Sequence, residues 1–153
     1  MRWTKTISLL AIGLSMLAAT AKADDANLTA RCVFAEACGV SFQAKVWVAA
    51  TIINRADHPS YPNDIRGVIY QKNAFSSVME NSRLWRMSAN PASMSPAYKK
   101  KWNDCVKAVN IAMESRNLKV IAFKETSCPT SKYFRSLVVL AVFDNLTFYG
   151  ERE

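Results

Sequence analysis

Histidine is almost missing from this chain: His58 is the only one in 153 residues, and no Cys-x-x-Cys pair stands beside it. That scarcity argues against a zinc site of the Cys and His kind and against a Cys–His nucleophile pair. A long membrane-spanning run is also lacking. Ile7 to Ala19 is apolar, interrupted only by Ser and Gly, but it falls short of the about 20 residues that a stable bilayer span needs. No internal repeat, low-complexity tract or long linker follows it, so a repeat array or a string of domains is not expected.

What stands at the N-terminus has the layout of an export leader. Arg2 and Lys5 precede the apolar run, and Ala21-Lys22-Ala23 closes it in a small-x-small pattern. Residues 1–23 are read as a signal peptide cut before Asp24, and residues 24–153 as one domain of ordinary size. A retained membrane anchor is the alternative. On the first reading the membrane is met only through the leader. Cleavage removes Arg2, Lys5 and Lys22 and no acid, which lowers the formal charge from +8 to +5. A moderately basic surface suits an anionic polymer, and equally suits nothing in particular. Export argues against nucleic acid as that partner.

Cys32, Cys38, Cys105 and Cys128 all follow the leader. An even number in an exported chain points to two disulfides, with free buried thiols as the competing state. Cys32 and Cys38 lie on one short helix, about 9 Å apart at 1.5 Å rise per residue, too far to bridge each other. The expected bonds are Cys38–Cys128 and Cys32–Cys105, the latter joining the first helix to a later one packed against it.

Periodicity divides the domain into helices and then strands. Asn27 is placed to cap a helix from Leu28 to Cys38, closed by Gly39. Ser41 caps a second helix whose Phe42, Val46, Ala49, Ala50 and Ile53 form an apolar stripe. Pro59 and Pro62 mark a turn, and residues 64–70 a short helix. Ser95-Pro96 opens a long helix to Ser115, with Tyr98, Trp102, Cys105, Val106, Val109 and Met113 on one face. Val120 to Phe123, Leu137 to Phe143 and Leu146 to Tyr149 are β-branched and aromatic runs that read as strands. The class expected is α+β, with a small C-terminal sheet. Trp85 and Trp102 read as core residues, and His58 beside Pro59 as a plain loop residue.

Glu36 stands out chemically. It sits in Cys32-Val-Phe-Ala-Glu-Ala-Cys-Gly39, an apolar helix end with no basic neighbour in sequence. Apolar surroundings disfavour the charged carboxylate and raise its pKa towards working pH. Such a group can protonate a glycosidic oxygen and later take a proton back. A solvated glutamate at a helix end is the plainer alternative.

Four segments, in order, cover nearly all of the domain: Ala30-Arg-Cys-Val-Phe-Ala-Glu-Ala-Cys-Gly, then Gln43 to the Asn54-Arg55 pair, then Tyr61-Pro-Asn-Asp-Ile-Arg-Gly-Val-Ile-Tyr-Gln-Lys-Asn-Ala-Phe-Ser, and the closing Phe148-Tyr149. Together they resemble the SleB-type cell wall hydrolases, the family of spore-cortex lytic enzymes. The resemblance implies a compact lysozyme-like fold with a glycan groove, Glu36 as catalytic acid and base, and peptidoglycan as substrate. The reaction implied is lytic transglycosylation between N-acetylmuramic acid and N-acetylglucosamine, with no metal or cofactor. A wall-binding or scaffold protein on the same fold is the alternative, and the need for an activating partner stays open.

The resemblance implies further site residues. Asn54 and Arg55 would hydrogen-bond a sugar or orient Glu36, or else cap the helix and pack the next loop. Gln71, Phe75 and Ser76 would line or support the groove. Tyr149 would stack on or hydrogen-bond a sugar, or simply be a half-buried strand residue. The chain departs from the family at Cys38, usually arginine, and at Val40, often acidic. Histidines common near Lys124 and just before Phe148 are also missing, with Leu146 in the latter stretch.

Overall fold

The computed structural model describes residues 4–115 and 117–152, so the first three leader residues lie outside the described residues. Helix α1 runs unbroken from Thr4 to Ala37. This corrects the expectation of a helix opening at Asn27. No Gly or Pro lies between Leu14 and Asn27 to stop a helix from propagating. Residues 18–24 are exposed, and full burial starts only at Leu28. Among the described residues no helix is long and apolar enough to cross a membrane. At its other end α1 stops one residue earlier than expected. Gly39 takes no left-handed φ; the turn closes through the Val40 N–H on the Ala37 carbonyl at 3.4 Å.

Helix α2, Phe42–Ala56, is capped as its sequence indicates, the Ser41 hydroxyl accepting the Ala44 N–H at 3.3 Å. Its stripe is buried except at Phe42, which is 40% exposed on the first turn. Asp64 caps α3, Ile65–Tyr70, by accepting the Gly67 N–H at 2.7 Å. Two short helices follow, α4 at Ser76–Met79 and α5 at Arg83–Met87, then a single 3-10 turn at Pro91–Ser93. Helix α6 spans Pro96–Glu114 and buries Trp102, Cys105 and Val109.

The strands are β1 at Ala122–Glu125, β2 at Val138–Phe143 and β3 at Leu146–Gly150, with a short helix α7 at Lys132–Arg135 between the first two. β3 lies in the middle and pairs antiparallel with both neighbours, the β2 pairing carrying an irregularity between Val139 and Ala141. The fold is α+β. One core joins both parts. On the helical side Phe34 of α1 meets Tyr98 and Trp102 of α6 edge-on, at 6.2 and 5.9 Å. On the sheet side Trp47 of α2 meets Phe143 and Phe148 at 5.4 and 5.5 Å. The Asp144 carboxylate in the β2–β3 turn accepts the Ser41 N–H at 2.8 Å, tying the sheet to the start of α2.

Candidate active site

Glu36 occupies the last turn of α1, half-buried between buried Ala35 and Ala37. Its Oε1 accepts the backbone N–H of Ser77 at 3.0 Å. Helix α4 needs that acceptor. Its N-cap, Phe75, makes no side-chain cap bond, and first-turn N–H groups have no partner within their own helix. A carboxylate from α1 fills the role, and its charge suits the positive end of α4. Burial pushes the Glu36 carboxyl above its ordinary range; the Ser77 hydrogen bonds pull it back in part, and the negative charge of Glu80 adds to the rise. The result is a carboxyl group biased towards its protonated form and held in one place, which is what a general acid requires.

The residue that touches Glu36 is Ser77, one past the sequence candidate Ser76, which is exposed. A bond made through backbone N–H leaves no mark on residue type, so sequence reasoning had no signal for it. Phe75 is 1% exposed, and its ring packs 6.3 Å from Phe123. The Arg55 guanidinium lies on the same ring, at 5.5 Å. Gln71 closes α3, half-buried, and its carbonyl accepts the Ala74 N–H at 3.0 Å.

Asn54 and Arg55 carry the end of α2 to the sheet. Both Asn54 amide bonds are donated to backbone, to the Leu118 carbonyl and to that of Val120 at 2.8 Å. Arg55 is 8% exposed and donates from Nε to the Ile121 carbonyl at 2.7 Å. Its guanidinium lies over the rings of Tyr61 and Phe75, at 5.1 and 5.5 Å. The hydrogen bonds run to the segment that leads into β1, and only the Arg55–Tyr61 ring contact reaches the loop that follows α2. Arg55 also acts electrostatically on the buried Cys32 thiol, as does Glu36 one helical turn away. Beyond Arg55, the Tyr61 and Tyr133 hydroxyls share a hydrogen bond at 2.5 Å. Tyr149 is 6% exposed, its ring 4.9 Å from Phe134.

The two expected disulfides are absent, and all four cysteines are free thiols. Cys128 is exposed in the loop after β1, its Sγ 4.0 Å from Glu125 Oε2 and its carbonyl held by Lys124 Nζ at 2.7 Å. Its loop binds to itself and brings no thiol to Cys38. Cys32 and Cys105 are fully buried, and neither is bonded to another cysteine. His58 Nε2 lies 3.1 Å from Glu151 Oε1 on the wall of a cleft of 780 Å³ between the end of α2 and the sheet. Glu36 is not among that cleft's walls.

A family model described as Cell Wall Hydrolase matches residues 39–149. The match begins three residues after Glu36. The chain is 39% identical over 57 residues to a spore cortex-lytic enzyme of Bacillus subtilis, spanning 37% of this chain and 19% of that protein. A namesake in Oceanobacillus iheyensis is 36% identical over 62 residues, 40% of this chain and 22% of that one. The match thus spans about a fifth of the length of these relatives. The solved catalytic domain of the Bacillus cereus SleB protein superposes with a TM-score of 0.64 at 24% identity, covering 82% of this chain and 88% of that one. The catalytic domain of a germination-specific lytic transglycosylase, SleB from Bacillus anthracis, gives 0.62 at 23% identity, covering 82% and 93%. At these identities the likeness is one of fold.

Proposed function

The chain belongs to the cell wall hydrolase family, and from the setting of Glu36 we propose that it cleaves peptidoglycan glycan strands by lytic transglycosylation. The observation that carries this reading is the half-buried Glu36 carboxyl, fixed by Ser77 and raised in pKa by burial. Glu36 protonates the glycosidic oxygen between N-acetylmuramic acid and N-acetylglucosamine. The resulting carboxylate then takes the proton from the muramoyl C6 hydroxyl, which attacks C1 of the same sugar. An intramolecular nucleophile needs no second acid to place a water, and its effective concentration is high. The product carries a 1,6-anhydromuramoyl end.

Gln71 and Ser76, on either side of buried Phe75, are the proposed sugar-facing positions, with Asn54 and Arg55 holding the frame and Tyr149 packed on Phe134. Residues 1–23 are proposed to act as a leader removed in export, with residues 24–153 acting on the wall from the periplasm or outside the cell. The exposed stretch 18–24 next to buried Leu28 supports a domain start near Asp24.

Digestion of purified peptidoglycan followed by mass spectrometry of the muropeptides tests the reading. Anhydromuramoyl ends are expected. Reducing ends alone would replace transglycosylation by hydrolysis, and released peptides or intact strands would remove glycan cleavage altogether.

A further inference from the structure

Tyr133 and Phe134 are neighbours on α7 with opposite fates. The Phe134 ring packs 4.9 Å from the ring of buried Tyr149, which fastens α7 to the sheet. Tyr133 turns instead to the loop after α2, where its hydroxyl shares a 2.5 Å hydrogen bond with that of Tyr61. A surface tyrosine ordinarily buries its ring and leaves its hydroxyl to water. Tyr133 is arranged the other way round. Its hydroxyl is taken up by Tyr61, and loss of water together with that bond pushes its pKa well up. The residue nevertheless stays 43% exposed, so the exposure falls on the ring. With Tyr61 at the hydroxyl and the Phe134 ring 5.2 Å away, the ring is fixed before anything binds to it.

A path of contacts leads from that ring to Glu36. The Tyr61 ring lies 5.1 Å from the Arg55 guanidinium, which lies 5.5 Å from the Phe75 ring. Phe75 comes two residues before Ser77, whose N–H meets Glu36 Oε1 at 3.0 Å. Tyr133 thus stands several contacts away from the acid, where only a substrate of several sugars meets both.

We propose that the exposed ring of Tyr133, clamped through its hydroxyl by Tyr61, is a platform on which one sugar of the glycan strand stacks, away from the bond that is cut. The proposal rests on the reading of Glu36 for its substrate and adds a subsite to it. A pyranose ring presents C–H groups on its faces, and these suit the negative face of an aromatic ring. Tyrosine offers that contact at little cost in side-chain entropy, and at less still when Tyr61 already holds it. Lys132 and Arg135, exposed on the same short helix, bring positive charge to this end of the site, which suits the carboxylates of muramic acid.

The test measures binding to the full chain carrying Glu36→Gln, so that strands are not consumed. The ligands are peptidoglycan strands freed of their peptides by an amidase and fractionated into a short and a long pool, and isothermal titration calorimetry gives each Kd. Adding Tyr133→Ala is expected to weaken binding of the long pool about 3–10-fold and to leave the short pool unchanged. Tyr133→Trp in its place should keep the affinity for the long pool. No binding to the long pool, or binding that Tyr133→Ala leaves unchanged, overturns the platform. Equal weakening of both pools with a lowered melting temperature also overturns it, since that marks a residue needed only for the fold. Should the alanine variant fail to fold, Tyr133→Leu carries the same test, because it keeps apolar bulk without an aromatic face. The reading of Glu36 fails separately: strand binding that depends on Tyr133, with no anhydromuramoyl ends from the unaltered chain, would remove the reaction and leave the platform standing.

Discussion

The backbone N–H of Ser77 and the Oε1 of Glu36 are 3.0 Å apart, so the proposed acid of α1 is also the cap of α4. Two demands meet in one carboxyl group. Burial favours its protonated form, whereas the bonds from Ser77 favour the charged one. Ser77→Ala keeps the N–H and removes the hydroxyl, so the carboxyl should shift further upward. Activity that depends on protonated Glu36 falls as pH rises through its pKa. The alkaline limb of the pH–rate profile should therefore move to higher pH in Ser77→Ala. An unmoved limb would show that the hydroxyl does not tune Glu36.

Glu36→Gln separates chemistry from architecture. The amide oxygen can still accept the Ser77 N–H, so α4 keeps its cap, but no proton can be given or taken. Loss of general acid–base catalysis should lower glycan cleavage about 10²–10⁴-fold. Stability should change in a pH-dependent way. A carboxyl raised on folding adds stability that is fully present below its unfolded pKa and is lost as pH rises through the folded one. Wild type should therefore lose ground to Glu36→Gln as pH climbs through that window, and above it the variant should melt no lower. Thermal scans across pH with activity assays on the same samples check both halves. Full activity in the variant would remove Glu36 from the mechanism.

Glu36 was legible because an acid amid Val33, Phe34, Ala35 and Ala37 is conspicuous in any sequence. The helices with strong periodicity, α2 and α6, were legible within a residue or so at their starts, since Ser41 and Ser95-Pro96 mark them locally. Three features were not. Helix α1 extends back through the leader because propensity alone sustains it, and Asn27 is no barrier inside an already nucleated helix. Helices α4, α5 and α7 have four or five residues each, too few to show a period. That the four thiols stay unpaired depends on how the helices and the β1 loop pack, which no local pattern encodes. Asn54 and Arg55 were visible as a pair, but their side chains are committed to carbonyls more than sixty residues away.

Close approach makes Gly67 a sensitive position. A Cβ there would lie 2.7 Å from Pro62 Cβ and 3.2 Å from Asp64 Oδ2, the residue that caps α3. Gly67→Ala must push the Pro62 turn away or strain the cap, at about 1–3 kcal/mol. Urea unfolding should show a lower midpoint with an unchanged slope. A midpoint equal to wild type would mean the turn yields freely.

Arg55 and Asn54 offer the sharpest contrast between holding the frame and gripping the sugar. Arg55 satisfies the Ile121 carbonyl and fills the space between Tyr61 and Phe75; Asn54 satisfies the carbonyls of Leu118 and Val120. Truncating either strands buried acceptors on the segment that leads into β1, and a buried unpaired group costs about 1–3 kcal/mol. Arg55→Ala also opens a cavity, which brings its expected cost to about 2–4 kcal/mol. Arg55→Lys should recover little of this, because an ammonium has neither the Nε donor nor the flat face that the two rings sandwich. Both alanine variants should therefore unfold at lower denaturant, while the KM for soluble glycan fragments, measured well below their melting temperatures, stays within about twofold of wild type. The bound appears there because uniform binding energy lost from a sugar contact raises KM directly. A variant with wild-type stability and a raised KM would instead place that side chain on the substrate.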